Sequence, residues 1–424
     1  MQIGKMPENA LKRSVLRQIL TKREEVLHDA GIGEDCSVFC FGEGAKIAAC
    51  MQEAMVTADR ETTYGTGKDA VTIGKAIHFF GDKSAADGES ASESWDKTVA
   101  GKTVRELGGK AADAGEMGCG LGGKEAGAGE SACTLDDKMA ALGGIVPGFE
   151  TGERFLTMGD LIQKCANNLA AGGAWPVAAT ITLLLPVHTE EPQVRALMAA
   201  AEEKCSELSM EIAGGQTRIT GGVLQPMAVV TAYGRVLRGN GCSVKDARPG
   251  QDIVLSKWIG LQGTALTARR HYGKLRERYP AYLVEEAMDF GRYLSVLPEA
   301  KIALEQGVCA MHDASEGGIF GALWELAEGA GTGLTIDLRK LPLRQETVEV
   351  CECCGVNPYE LLSGGCLIMA TWDGPGLRQA LEKAQIPAAL VGKVTDSHDR
   401  LLLNGEETRY LDRPRTDSIY GAML

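Results

Sequence analysis

Aromatic residues are scarce in this chain: they make up 5% of its 424 residues. Positive charge is also in deficit. Lys and Arg number 44 against 57 Asp and Glu, a net charge of −13. Such a chain repels phosphate backbones, which argues against a nucleic-acid partner. Phosphates held through a metal ion remain compatible, because the ion supplies positive charge locally. No long hydrophobic run exists. The longest apolar stretch, Val177 to Val187, is too short and too interrupted by threonine to cross a bilayer. The opening MQIGKMPENALKRSVLRQIL is amphipathic and lacks the apolar core of a secretory signal, so no membrane partner and a cytoplasmic location are expected. Also missing are a Walker-type GxxxxGK[ST], a dinucleotide GxGxxG in a first βαβ unit, a GxSxG elbow and an HExxH.

Apolar residues are present at an ordinary 44%, enough for a sizeable core. The length suits about two to three domains. Thirteen cysteines is an odd count. Cys36, Cys40, Cys50, Cys165, Cys205 and Cys309 sit mostly inside apolar runs and read as buried thiols in a reducing compartment. The cluster Cys351, Cys353 and Cys354 lacks a second pair at zinc-finger spacing and reads as a cysteine-rich helix end.

Glycine is abundant, with 54 residues, and uneven: positions 101–150 hold 13 of them. Residues of about 60–155 therefore read as a long irregular insertion. Before it, a helix is expected over 7–28, then strands over Ser37–Phe41 and Lys46–Met51. After it, a helix is expected over 159–173. A strand over Ala178–Pro186 looks apolar enough for burial on both faces. Residues 190–208 read as an amphipathic helix with Val194, Leu197, Met198, Ala201, Cys205 and Leu208 on one stripe. GGQTRITGG (214–222) reads as a glycine turn before a strand over Met227–Val236. The turn-rich segment 238–252 marks a domain boundary. Beyond it, helices are expected at about 261–274, 281–294, 317–329, 344–354 and 375–385. Strands are expected at about 253–257, 308–312, 333–338, 366–372 and 388–395. Such alternation indicates a layered α/β architecture.

Four segments have the chemistry of a site. In GIGEDC (31–36), Gly31 and Gly33 allow amides to face an anion, while Glu34 and Asp35 offer hard oxygens for Mg²⁺; a plain turn is the competing account. In MHDASEGG (311–318), Asp313 and Glu316 stand where a strand meets a helix. Capping by Asp313 or Ser315 would explain the acids, but not the two helix-weakening glycines, Gly317 and Gly318. His312 has no visible nucleophile partner and reads as structural. In GGQTR, Gly214 and Gly215 precede Gln216 and Thr217, a turn that could contact phosphate or simply enter a strand. Asn167–Asn168 are adjacent amides in mid-helix, unfavourable by propensity, and so either hold a polar ligand or face solvent.

Taken in order, GKMPENALKRSVL, GIGEDCSV, NNLAAGGAWPV, GGQTR, RPGQDIVLSKWIGLQGTA, HDASEGGIFGALWELAE and NPYELLSGGCLIM resemble the superfamily of aminoimidazole ribonucleotide (AIR) synthase, the hydrogenase-maturation protein HypE, selenophosphate synthase and thiamine-monophosphate kinase. The match is nearest to HypE-like, AIR-synthase-related proteins and spans most of the chain apart from roughly 60–155. The resemblance implies a two-domain α/β (α+β) fold. An N-terminal ATP-binding domain over 1–237 dimerises through a β-barrel, and a C-terminal α/β domain covers 238–424. It implies ATP and Mg²⁺ as cofactors, and phosphorylation of an oxygen on a small-molecule substrate that the sequence does not identify. It implies a homodimer.

Carried across by position, Asp35 is the first-loop acid, and Asp313 and Glu316 are the acids of the second motif; all three are the expected catalytic residues. Gly31, Gly33, Glu34, Gln52, Glu53, Asn167, Asn168, Gly214, Gly215, Gln216 and Thr217 are the expected nucleotide-binding set. Asp35, Glu53 and Asp313 are the expected metal ligands. The chain departs from the family where Gln52–Glu53 replaces a Thr-Asp pair and where Asn168 and Gln216 replace aspartates. Neutral amides are poorer ligands for a hard cation. HypE also carries a C-terminal cysteine, whereas this sequence has none after Cys366 and closes on Gly421–Ala422–Met423–Leu424. Two functions are therefore expected: an ATP-dependent enzyme of AIR-synthase and HypE type, or a non-catalytic nucleotide-binding or hydrogenase-maturation-related scaffold. A small-molecule kinase ranks after both.

Overall fold

A computed structural model describes residues 26–28, 36–40, 46–57, 155–413 and 416–423. The glycine-rich stretch lies outside the described residues until Phe155, as do Gly31, Gly33, Glu34 and Asp35. The expected helix over 7–28 lies outside them too, except at its end. There Val26–His28 is a strand (β1), paired antiparallel with Ser37–Cys40 (β2).

Among the described residues, the first sheet has seven strands. β1, β2, Lys46–Thr57 (β3), Met227–Val236 (β7), Ala174–Leu185 (β5) and Glu211–Ile219 (β6) follow in that order, and Phe155–Thr157 (β4) pairs with β3. β3 runs to Thr57, beyond the expected Met51, because β7 pairs with it from Ile47 to Met55. β5 is not buried on both faces. Ala179, Ile181, Leu183 and Leu185 are buried, while the residues between them are half-exposed, the alternation of a sheet covered on one side.

GGQTR is not a turn. It lies within β6, which runs parallel to β5. Its glycines mislead because they serve a distant contact: a side chain on Gly215 would fall on the carbonyl oxygen of Ile181. The register also shifts between Ala179 and Thr180.

Helix α1 (Met158–Ala171) covers the buried face of this sheet, and α2 (Glu191–Glu207) packs against α1. Thr157 caps α1 by accepting from the Asp160 amide at 3.0 Å. The stripe on α2 forms as expected, with Leu197, Ala201, Cys205 and Leu208 buried.

The second sheet also has seven strands, ordered Glu407–Tyr410 (β14), Arg400–Asn404 (β13), Gly333–Asp337 (β10), Ala388–Thr395 (β12), Asp252–Ser256 (β8), Leu367–Thr371 (β11) and Ala310–Asp313 (β9). Helices α3 (Leu261–Arg270), α4 (Tyr272–Arg278) and α5 (Ala281–Met288) follow β8. The expected helix over 281–294 ends at Met288 and continues as a 3₁₀ turn, Asp289–Tyr293. Helix α6 (Leu297–Glu305), opened by Pro298 in its first turn, was not expected. Helices α7 (Gly318–Ala330), α8 (Gln345–Cys354), α9 (Gly374–Lys383) and α10 (Ser418–Met423) complete the unit. The cysteine cluster does close α8, with Gly355 in the left-handed cap.

One face of the second sheet shares its core with the first. Val254, Met311, Leu367 and Met369 join α6, α9 and the residues of α1 in a single buried cluster. The other face packs on α7. Helix α1 thus touches both sheets, and this places its polar side against the end of β9.

Candidate functional site

Asp160, Gln163, Lys164 and Asn167 recur at helical spacing on α1, so they share one face. That face forms one wall of a small polar crevice. The opposite wall is built by Asp313 and Ser315 from the loop after β9, by Gln262 of α3 and by Gly364, with Leu294 closing the end. Two of the expected site residues, Asn167 and Asp313, are therefore brought together across the sheets.

Asn167 is fully engaged. Its Oδ1 accepts from Gln163 Nε2 at 3.0 Å and from the Val296 amide at 3.1 Å; its Nδ2 donates to the Leu294 carbonyl at 2.7 Å. Its mid-helix amide is therefore buried and held by protein partners, not turned to solvent. It latches α1 to the segment before α6. Asn168 is buried as well.

Asp313, 2% exposed, ends β9 beside Leu367 of β11. The next residue donates its amide to Cys366 O at 2.9 Å, and Ser363 donates its own to Ser315 O at 3.1 Å. Neither Asp313 nor Ser315 is the N-cap of α7, contrary to the capping account. Gly317 is the N-cap, in the left-handed region at φ 87°, and Glu316 precedes the helix. Gly318 has φ 65°, and a Cβ there would meet Tyr359 O at 2.5 Å. Gly317 answers to its left-handed N-cap conformation, and Gly318 to that crossing of backbones. Phe320 and Tyr359 stack across it at 5.0 Å. Glu316 turns the other way from Asp313: it accepts from the Tyr420 hydroxyl at 3.1 Å and does not line the crevice. His312 bonds Glu325 of α7 at 3.0 Å, consistent with a structural role.

The remaining expected residues lie on the first sheet. Gln52 is half-buried on β3; Glu53 pairs with Val229 there, and its side chain lies outside the described residues. Gly214, Gly215, Gln216 and Thr217 are exposed on β6. Gln52, Gly214, Gly215, Gln216 and Thr217 do not line the crevice.

A buried ion pair, Lys257–Glu299, is tied to the residue that follows Leu294: Lys257 Nζ also donates to Ser295 O at 2.6 Å. Lys257 holds φ 52°, an unusual backbone for a residue with a side chain. Burial pushes the Cys366 thiol up to about 12, with Lys257 opposing and Asp313 and Glu299 adding to the rise. Burial likewise raises Cys351 and Cys242 to about 12 and Cys205 to about 11. These thiols stay protonated near neutrality. No group of three or more metal-binding side chains is found among the described residues. No helix among them is long and apolar enough to cross a membrane.

Residues 158–236 match the N-terminal domain of AIR synthase related protein, and residues 248–403 match its C-terminal domain. The chain belongs to the AIR synthase related family. It is 26% identical over 273 residues to a Methanocaldococcus jannaschii protein named for hydrogenase expression/formation, covering 61% of this chain and 76% of that one. It is 30% identical over 205 residues to carbamoyl dehydratase HypE of Rhodobacter capsulatus, and 30% identical over 218 residues to thiamine-monophosphate kinase of Corynebacterium glutamicum. Those matches cover 48% and 50% of this chain, and 58% and 57% of the two relatives' lengths. Among solved structures, AaThiL complexed with AMPPCP and TMP aligns with a TM-score of 0.57 at 15% identity, over 96% of this chain and 97% of that one. E. coli HypE aligns at 0.53 and 20%, over 61% and 80%. These structural likenesses bear on the AIR-synthase-type fold alone.

Sequence reasoning missed Asp160, Gln163, Lys164 and Gln262. A signal was present for the first three: with Asn167 they make four polar residues spaced along one face of an otherwise apolar helix.

Proposed function

We propose that this chain is an ATP-dependent enzyme of AIR-synthase and HypE type that phosphorylates an oxygen of a small substrate. The observation carrying this reading is Asp313, a buried carboxylate facing Asp160 and the polar side of α1 across a crevice. Carboxylate oxygens suit a hard divalent cation, so Asp313 and Asp160 fit Mg²⁺, with Asp35 and Glu53 as further ligands. The ion, when bound, would neutralise charge on the transferred phosphoryl group. Lys164 and Ser315 would orient oxygens, and the latch at Asn167 would hold the two walls in register. In this reading Glu316 works from the neighbouring loop. Gly31, Gly33, Glu34, Gln52, Asn168, Gly214, Gly215, Gln216 and Thr217 complete the nucleotide site. Residues 1–237 and 238–424 act as two domains, in the cytoplasm.

Calorimetry with ATP, with and without Mg²⁺, tests it. The expected result is Mg²⁺-dependent binding that Asp313→Asn weakens at least about tenfold, since an amide is a poor ligand for this ion. Identical affinity in the presence and absence of Mg²⁺ would sink the catalytic reading.

That outcome would favour a non-catalytic nucleotide-binding scaffold. Two observations support this second reading: Asn167 is occupied by backbone partners, and Gly215 is accounted for by its approach to Ile181.

The proposal includes a homodimer. Ile47, Met51 and Tyr233 expose large apolar surface, and their register places them on the outer face of the first sheet. A second copy is the proposed occupant. Light scattering should find a dimer, and Met51→Asp combined with Tyr233→Asp should shift it to a monomer without loss of helical signal. A monomeric unaltered protein would refute the dimer.

A further inference from the structure

Three segments far apart in sequence meet at one carboxylate. Asp417 is buried, and its oxygens accept from the backbone amides of Gly317 at 2.7 Å, Leu362 at 3.2 Å and Ile419 at 2.8 Å. The first two amides belong to the acidic loop and to the glycine loop that crosses it. Three residues on, the Tyr420 hydroxyl donates to Glu316 Oε1 at 3.1 Å. Helix α10, which carries Tyr420, is firmly seated: Ile419 is fully buried, and His271 Nε2 donates to Ala422 O at 2.5 Å. Hydrogen bonds to a charged acceptor are stronger than neutral ones, and a buried network that is fully satisfied stiffens what it joins.

We propose that Asp417 and Tyr420 are positioning residues for the second acidic loop. Asp417 fixes the loop's backbone at Gly317 and ties it to the crossing loop at Leu362. Tyr420 sets the direction of the Glu316 carboxylate, which leaves Asp313 as the acid that faces the crevice. The C-terminal segment thereby acts as a strap whose seating decides whether the two acids take up their divergent geometry. This rests on the acidic loop belonging to the working site proposed above.

Two readouts on the full chain test it. In amide hydrogen exchange, Asp417→Asn is expected to speed exchange at Gly317 and Leu362 at least about tenfold, with the strands of the first sheet unchanged. In calorimetry with ATP and Mg²⁺, Tyr420→Phe is expected to weaken binding about five- to tenfold in the natural chain and to change nothing in a Glu316→Gln background, because the effect passes through that carboxylate. Unaltered exchange at both amides would overturn the strap. So would an equal Tyr420→Phe penalty in both backgrounds, which would make Tyr420 a mere prop of the fold. If the natural chain binds no nucleotide, the proposed function falls, and the exchange measurement alone decides for or against the strap.

Discussion

Replacing Glu299 with leucine is expected to cost about 3–5 kcal/mol of stability, the scale for stranding one charge of a buried pair. Glu299 is 1% exposed and Lys257 7%, so neither charge can turn to water when its partner goes. Lys257 would keep one acceptor, the carbonyl of Ser295. It also cannot easily move its backbone: its left-handed conformation is fastened by its amide to Pro387 O at 2.7 Å. The double change Lys257→Met with Glu299→Leu should recover most of the loss, because it removes both charges and refills the volume. Denaturant melts of the three variants check this. A single Glu299→Leu change within about 0.5 kcal/mol of the natural chain would contradict the burial described here.

The second large effect belongs to Gly318. Gly318→Ala should destabilise by about 3 kcal/mol, combining a left-handed backbone that costs an L-residue roughly 1–2 kcal/mol with a clash against backbone that cannot swing aside. The clash involves the carbonyl of Tyr359 and the chain at Glu360. Phe320 stacks on Tyr359 and its amide donates to Tyr359 O at 3.1 Å, so any retreat would break that contact as well. Gly331→Ala is the matched control. It too is left-handed, but nothing lies within 4 Å of its added methyl group, so it should show only the conformational part of the loss. Thermal melts of the two variants side by side separate strain from collision. Equal losses would mean that the loops do not cross as closely as described.

Much of the fold could be read in the sequence because it is written locally. The α/β alternation after Asp252 and the apolar stripe on α2 arise from periodicities within single elements. The failures are non-local. Glycines 214 and 215 look like a turn until β5 runs alongside them. The crossing of Gly318 with Tyr359 explains its glycine better than any helix rule. The site divides in the same way. The acids of HDASEGG could be picked out because they stand at a strand–helix junction. What Asn167 does could not, since its partners lie 127 and 129 residues away. Nor could the role of Asp417, which is 100 residues from Gly317. The family's motif order supplied what spacing could not, namely that these segments belong to one protein type.

Helix α1 belongs to two cores at once. Its apolar side fills the first sheet, its length touches β9 of the second, and its remaining face is the wall of the crevice. A hinge between the halves would have to tear this helix from one of them and break the two hydrogen bonds that Asn167 makes to Leu294 and Val296. The crevice is therefore stiff in the way a keyed joint is stiff. Whatever enters meets walls already set at their spacing, and any gating must come from the loops at its rim.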